Sequence, residues 1–335
     1  MAYGRGPGDF VFSIGYVLRA LFGWREDNFW GLMRICFWGT RGSIPKPGPT
    51  TVKYGGNTSC VEVRSTAGTL VVLDCGTGAH GLGQALLRSG VSPLRGHILI
   101  THTHWDHIQG IPFFAPLFEP GNEWDIYAPR GLNGNLKEIL AAQMQHTYFP
   151  VSLEELGATI RYHDLIEGAF TVGDIRIVSQ YLNHPAWTLG YRLEADGVSV
   201  VYATDHEPHS WGSALAGLPA DTPPQGLHPG DRRHADFLAG ADIVIHDAQY
   251  TEAEYPAQLG WGHSPVERVV DDAVAAGVKR LALFHHDPLR EDDALEQVVT
   301  LARRRIADAG SQMEVYAAAE GMHVELAPAR STVSA

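Results

Sequence analysis

The feature that most constrains this chain is the segment THTHWDHIQG, residues 101–110, which directly follows an apolar run with the pattern of a buried strand. Alternate side chains of an extended chain share a face, so His102 and His104 can bind one cation together. As the chain then turns, the side chains of Asp106 and His107 point in a different direction and can bind a second cation close by. Imidazoles with a carboxylate suit Zn²⁺, and less exclusively Mn²⁺ or Fe. The segment therefore predicts a metal-dependent active site.

The rest of the chain alternates strand-like runs with helical segments, without an internal repeat of fixed period. Further polar residues follow predicted strands, and an α/β scaffold delivers such strand-end residues to one rim; they are Asp74, His184, Asp205 and His285. Helices are predicted at about 80–88, 132–143, 266–276 and 291–308. The third has Ser264 as its predicted N-cap and Pro265 at its first position.

Three segments fall outside this alternating pattern. Residues 1–32 are Gly-rich and then aromatic and amphipathic, which predicts a dispensable extension before a core domain at 33–327. The apolar part of that extension is too short to span a bilayer and is no good signal peptide. Residues 207–234 are rich in Pro, Gly and His without periodicity, which predicts a lid or a disordered insert. Residues 328–335 are interpreted as a flexible tail.

Charge and cysteine content limit the partners and the compartment. The net charge of −13 disfavours extended contact with nucleic acid, because that contact depends on Lys and Arg against phosphate. A local metal site can still attract one small phosphate ester. The three cysteines, Cys36, Cys60 and Cys75, are odd in number and lack C-x-x-C spacing, as is typical of a reducing compartment. We expect a cytoplasmic protein with a small-molecule substrate and no membrane partner; homodimerisation stays open.

Some residues have two interpretations from sequence alone. Asp74 either orients a neighbouring group at the active site or caps the Gly-rich turn that follows it. Arg41 either steers a phosphate or is a structural residue of its turn. Four aromatic residues either wall a base-sized pocket or belong to the core; they are Phe113, Phe114, Tyr148 and Phe149.

Together these residues resemble the metallo-β-lactamase superfamily of hydrolases over about residues 33–327. The resemblance implies an α/β fold (α+β by sheet type), the αββα sandwich, with two stacked sheets, helices outside and metals at one edge. Asp74 matches the first motif of the family, and residues 102–107 match the second. His184, Asp205 and His285 match the third, fourth and fifth. The adjacent His286 stays open as an alternative to His285.

The resemblance further implies two divalent ions per chain, Zn²⁺ first and Mn²⁺ or Fe as alternatives, with Asp205 bridging them. One ion would be held by His102, His104, His184 and Asp205. The other would be held by Asp106, His107, His285 and Asp205.

A bridging carboxylate at the fourth motif is more similar to the phosphodiesterase branch, with ribonuclease Z and the cyclic-phosphate phosphodiesterases, than to true β-lactamases. Residues 203–205 and 283–288 resemble the class-II-like cyclic-nucleotide phosphodiesterases of that branch, and the turns at 39–43 and 54–58 are similar to it. In ribonuclease Z a His-Ser-Thr element carries a catalytic histidine. Here the element is Gly262-His263-Ser264 followed by Pro265, so that role carries over to His263 on two matching positions only. The basic, Gly-rich arm that ribonuclease Z uses to hold tRNA has no counterpart in the sequence.

We therefore predict a dinuclear phosphodiesterase for small, including cyclic, nucleotides, in which a hydroxide shared by two ions attacks phosphorus in line. The candidate catalytic residues are Asp106, Asp74 and His263, the last stabilising the pentacoordinate state or protonating the leaving oxygen. His246 and Asp247 are expected to orient ligands or close their turn. The alternatives are a ribonuclease Z-like endoribonuclease, a thioester or lactone hydrolase, and a non-catalytic nucleotide sensor.

Overall fold

A computed structural model gives the fold and describes residues 32–131, 134–209 and 228–328. Most of the predicted extension, most of the 207–234 segment and the tail beyond residue 328 lie outside the described residues. The strands are β1 (Met33–Gly39), β2 (Cys60–Arg64), β3 (Leu70–Leu73), β4 (Arg95–Leu99), β5 (Glu123–Pro129), β6 (Thr159–Leu165), β7 (Gly168–Val172), β8 (Ile175–Leu182), β9 (Thr188–Ala195), β10 (Val198–Ala203), β11 (Ile243–Asp247), β12 (Arg280–Phe284), β13 (Glu314–Ala317) and β14 (His323–Leu326).

The helices of the described part are shorter than several of the predicted segments. They are α1 (Gly78–Arg88), α2 (Trp105–Ile108), α3 (Leu136–Gln143), α4 (Pro229–Leu238), α5 (Val266–Ala275) and α6 (Asp292–Asp308). Short 3₁₀ turns lie at Ile111–Phe113, Ala115–Leu117, Leu153–Glu155 and Tyr255–Ala257. No helix in these residues combines the length and the apolar character needed to cross a bilayer.

The strands form two seven-stranded sheets, ordered β14-β1-β2-β3-β4-β5-β6 and β13-β12-β11-β10-β9-β8-β7. Neighbours from β3 to β6 and from β10 to β13 are parallel, and the other pairs are antiparallel. The carboxyl ends of parallel strands meet at the same edge of a sheet, where α/β proteins place their ligands. The segments that follow β3 and β4 in the first sheet, and β10 and β12 in the second, are therefore brought to one edge.

Three apolar layers hold the sandwich together. The central layer joins the facing sides of the two sheets, where the rings of Phe37 in β1 and Phe284 in β12 lie 6.1 Å apart between centroids. One outer layer packs α1 and α3 on the first sheet, and the other packs α4, α5 and α6 on the second. Strands covered on both faces read as continuous apolar runs, as in the fully buried Leu70–Leu73 of β3. The predicted αββα sandwich is confirmed.

Two predicted helix details are wrong. Residues 229–234, predicted as part of a long loop, form the start of α4: Pro229 occupies its first turn, and the His228 side chain accepts a hydrogen bond from the Gly230 backbone N–H at 3.1 Å. Helix α5 begins at Val266, with Pro265 as its N-cap residue. The Ser264 hydroxyl donates instead to the carbonyl oxygen of His206 at 2.6 Å, because that buried acceptor lies within its reach.

Arg41 is a structural residue of its turn. Its side chain is fully buried and donates to the carbonyl oxygens of Gly55 at 2.8 Å, Asp287 at 3.2 Å and Arg290 at 2.5 Å. These bonds tie the turn after β1 to the segment that follows β12. The interpretation of Arg41 as a phosphate-steering residue is therefore wrong, since its guanidinium is committed to backbone acceptors inside the protein.

Candidate metal centre

Each of the predicted metal ligands lies just beyond a strand or at the start of a short helix. His102 and His104 follow β4, and His184, Asp205 and His285 follow β8, β10 and β12. Asp205 and His285 have left-handed φ angles of 59° and 54°, as does Asp74 with 58°. Such angles are uncommon away from glycine and cluster where function demands a fixed side-chain direction. Here they turn the side chains of three strand-end residues into the same region.

The ligand atoms form two neighbouring groups. Those of His102, His104, His184 and Asp205 lie within 4.8 Å of one another, as do those of Asp106, His107 and His285. Asp205 lies between the groups: its Oδ2 is 3.6 Å from Nε2 of His102 and its Oδ1 is 3.2 Å from Nε2 of His285. The structure thus brings all seven sequence-predicted ligands together, with the two oxygens of Asp205 facing different groups.

Neighbouring acceptors direct the ligand histidines. The Nδ1 atom of His107 lies 2.8 Å from Oδ2 of Asp74, and Nδ1 of His184 lies 3.1 Å from the Gly262 carbonyl oxygen. A histidine whose Nδ1–H is held by an acceptor presents an unprotonated Nε2, which is the form that binds a metal. Within the described residues, Nε2 of His102 and of His107 is buried without a hydrogen-bond partner. Such orphaned nitrogens are costly unless a ligand satisfies them, so this donor set fits a divalent metal.

The protonation states of His102 and Asp205 suit a metal. Burial lowers the pKa of His102 well below its ordinary value, and the neighbouring His107 adds to this. Burial alone would raise the pKa of the Asp205 carboxyl, but His285, His107 and His102 outweigh it and hold that pKa well below the usual range. Neutral imidazole and ionised carboxylate are the metal-binding forms of these groups. At His107, burial is outweighed by Asp106, Asp205 and Asp74, which raise its pKa, so a cation there competes with a proton.

Asp74 lies behind the ligands. It is fully buried and accepts hydrogen bonds from the Thr101 backbone N–H at 2.7 Å, the Tyr202 hydroxyl at 2.8 Å and the His107 ring. It does not line the cleft over the metal centre. We therefore treat Asp74 as a residue that orients His107, and not as one that takes part in the chemistry. Of its two sequence interpretations, this geometry favours the orienting role.

His263 and Asp247 form a buried pair beside the metal ligands. Nδ1 of His263 is 2.7 Å from Oδ2 of Asp247, and the His263 ring stacks on His285 with centroids 4.9 Å apart. Burial lowers the pKa of His263, but the Asp247 carboxylate outweighs it and raises that pKa to about 9. The sequence predicted an orienting role for Asp247 but did not identify His263 as the group that it orients. The missed signal is that β11 ends in a carboxylate at the same edge as His263.

The second histidine after β12 points away from the centre. Nε2 of His286 lies 2.8 Å from the Ala318 carbonyl oxygen, while His285 faces Asp106 and Asp205. The geometry therefore favours His285 over His286 as the ligand. His246 is also turned aside, with Nδ1 2.6 Å from the backbone carbonyl oxygen of its neighbour Asp247.

A cleft of about 460 Å³ opens over the centre. It is lined by four of the candidate ligands and by four other residues, which are His104, Asp106, Asp205 and His285, and Ser43, Thr103, Trp105 and His263. That volume is typical of small-molecule sites. The predicted aromatic wall is wrong for Phe114, which is fully buried and packs on Trp124. None of the other three predicted wall residues lines the cleft; they are Phe113, Tyr148 and Phe149.

With this geometry established, comparisons with known proteins locate the chain among its relatives. Residues 69–222 match the family model described as "Beta-lactamase superfamily domain". The chain is therefore similar to a beta-lactamase superfamily domain over these residues. It is 26% identical over 285 residues to the ribonuclease Z of Haloarcula marismortui, covering 76% of this chain and 86% of that protein. The superfamily resemblance read from the sequence is confirmed.

Two solved structures show the same fold. The short form of human tRNase Z superposes with a TM-score of 0.56 at 20% identity, covering 87% of this chain and 98% of that one. Unliganded yeast PDE1 superposes with a TM-score of 0.59 at 14% identity, covering 88% and 99%. The protein has the metallo-β-lactamase fold.

Replacing Asp74 tests how the centre is oriented. In Asp74→Asn an amide replaces the acceptor of the His107 Nδ1–H, so His107 loses its fixed tautomer. We expect metal affinity to fall by about 10–100-fold, measured by competition with a chelating indicator. Tyr202→Phe removes one hydrogen bond to Asp74 but keeps the Asp74 carboxylate, so metal affinity should fall less. A folded Asp74→Asn protein with unchanged metal affinity would contradict the orienting role.

Proposed function

We propose that the protein is a dinuclear, metal-dependent phosphodiesterase that hydrolyses small phosphodiesters, including cyclic nucleotides. The observation that carries the proposal is the position of Asp205, whose two carboxylate oxygens face different histidine groups. His102, His104 and His184 would hold one ion and Asp106, His107 and His285 the other, with Asp205 shared. Zn²⁺ is our first choice for both, because the donors are imidazoles and carboxylates.

Bound divalent ions would supply a water of lowered pKa and would neutralise charge on the phosphoryl oxygens. The protein's own contribution starts with rigidity. The Ser43 backbone N–H donates to Oδ2 of Asp106 at 2.7 Å, and the Thr204 hydroxyl donates to Oδ1 of Asp205 at 2.8 Å. Both carboxylates therefore keep their direction without substrate. Such preorganisation avoids reorganisation at the moment of reaction.

His263 is the proton donor in this proposal. Its imidazolium is held at Nδ1 by Asp247 and lines the cleft, so the Nε2 proton is available to a leaving oxygen. An alkoxide leaving group needs that proton. A thiolate is far less basic, since the free thiol has a pKa of about 8.5, and it can leave without a proton. A protonated histidine beside the metal groups therefore favours phosphodiesters over thioesters as substrates.

Charge favours a small substrate. The net charge of −13 gives a folded RNA little attraction outside the metal centre, whereas one phosphodiester can still reach the ions. The second candidate is nevertheless a ribonuclease Z-like endoribonuclease, since curated relatives such as that of Haloarcula marismortui carry this name. The two candidates share the centre and differ in substrate size.

The three cysteines support the proposed cytoplasmic location. Cys36, Cys60 and Cys75 are all buried free thiols. Burial raises the pKa of each thiol, which leaves them unreactive at neutral pH. Unpaired thiols are what a reducing compartment maintains.

Metal content tests the two-ion centre. We expect two divalent ions per chain in Zn²⁺-replete protein, measured by elemental analysis and by titration of the metal-free form. His184→Ala should weaken one site and His285→Ala the other, while Asp205→Ala should weaken both, because the two oxygens of Asp205 face both groups. The two-ion assignment fails if saturated wild-type protein holds one ion, or if Asp205→Ala affects one site only.

The role of His263 predicts a dependence on the leaving group. His263→Ala should slow hydrolysis of a cyclic nucleotide by about 10²–10⁴-fold, the range of a lost proton-transfer residue. It should slow hydrolysis of bis-p-nitrophenyl phosphate far less, because p-nitrophenolate leaves without protonation. Asp247→Asn should give a smaller effect of the same kind, and the exposed His80→Ala serves as the control. Loss of metal from His263→Ala, or equal slowing of both substrates, would show that the residue has another role.

A substrate panel decides between the two candidate functions. The metal-loaded protein is assayed with cyclic nucleotides, bis-p-nitrophenyl phosphate and a precursor tRNA at equal metal concentration. We expect turnover of the small phosphodiesters and no specific cleavage of the tRNA. Efficient, specific tRNA cleavage without activity on small phosphodiesters would replace the proposal with the ribonuclease.

A further inference from the structure

Trp105 has an environment that packing does not explain. It is the first residue of α2, between the ligand residues His104 and Asp106. The other three residues of this helix are buried, whereas the Trp105 side chain is 77% exposed. A large apolar ring exposed within a cleft offers a contact surface to a ligand, because burying such a ring is worth a few kcal/mol.

The position of Trp105 separates it from the other exposed apolar side chains. Of those in the described residues, Trp105 alone lines the cleft over the metal centre. Two other exposed aromatic residues pack on a neighbouring ring: Phe113 lies 5.3 Å from Phe149 and Trp187 lies 5.0 Å from Tyr181 between centroids. No comparable ring partner of Trp105 exists in the described part of the chain.

We propose that the Trp105 indole is the stacking platform for the base of a nucleotide substrate; this rests on the proposed phosphodiesterase activity. Because Trp105 lies between two ligand residues in the chain, a base stacked there belongs to the nucleotide whose phosphodiester reaches the ions. Every base has a π face, so this contact selects nucleotides over simple phosphodiesters without choosing one base. A cleft of about 460 Å³ holds one such nucleotide.

The test compares substrates that share one leaving group. Thymidine 5′-(p-nitrophenyl phosphate), its abasic deoxyribose counterpart and methyl p-nitrophenyl phosphate all release p-nitrophenolate and differ in the group that would meet Trp105. Trp105→Ala should raise KM for the thymidine ester by about 5- to 150-fold, the effect of losing one base–aromatic stack. The kcat of Trp105→Ala for the thymidine ester should stay within about threefold of wild type. The same holds for the kcat/KM of this variant for the other two esters. Trp105→Phe should restore most of the affinity, and Trp187→Ala should change nothing.

A binding measurement separates this inference from the activity it rests on. Calorimetry with thymidine 5′-monophosphate and with deoxyribose 5-phosphate should show that wild type prefers the nucleotide and that Trp105→Ala loses the preference at unchanged metal content. Wild type that hydrolyses all three esters with equal KM would overturn the stacking role and leave the phosphodiesterase intact. Wild type that hydrolyses none of them would overturn the phosphodiesterase itself. Equal loss on all three esters in Trp105→Ala would make Trp105 a structural residue.

Discussion

The geometry of the site depends on the position of one carboxylate, that of Asp205. Asp205 follows β10 with a left-handed backbone, and its Oδ1 and Oδ2 face different sets of imidazoles. A buried carboxylate without a partner is too costly to keep ionised, so Asp205 depends on these histidines to stay ionised inside the fold. The same constraint explains why the ligands come from several strand ends, since no single element surrounds a central anion.

The central layer between the sheets keeps those strand ends in register. Two tyrosines of the second sheet reach across to the first: Tyr202 donates to Asp74 at 2.8 Å, and Tyr191 donates to the Ile100 carbonyl oxygen at 2.6 Å. Ile100 lies close to His102 in the sequence, and Asp74 contacts His107. A chain of buried, satisfied hydrogen bonds therefore links the packing of the sandwich to the direction of the metal ligands, and such networks hold only one geometry well.

The chemistry of the cleft combines opposite requirements. The protein is strongly anionic, yet its substrate in this proposal is an anion, so the attraction must come from cations at the centre and from apolar contact beside it. Trp105 supplies the apolar contact next to the ligands in sequence and in space. His263 lies in the same cleft, and the neighbouring Asp247 carboxylate raises its pKa, which suits the proton-donor role proposed for it.

The layered α/β class, most strand positions and the candidate metal ligands could be predicted from the sequence, because apolar strand runs and the residues that end them are local signals. Features that depend on distant partners became visible in the folded structure. Asp74 contacts His107 and Asp247 contacts His263, in each case from a different element. The Arg41 side chain donates to backbone carbonyl oxygens of a remote segment. Ser264 donates to the carbonyl oxygen of His206 and does not cap its helix. Phe114 is core and Trp105 is not, although both are aromatic residues near the same motif. Sequence pattern states a side chain's chemistry, whereas its direction and burial are set by how the two sheets pack.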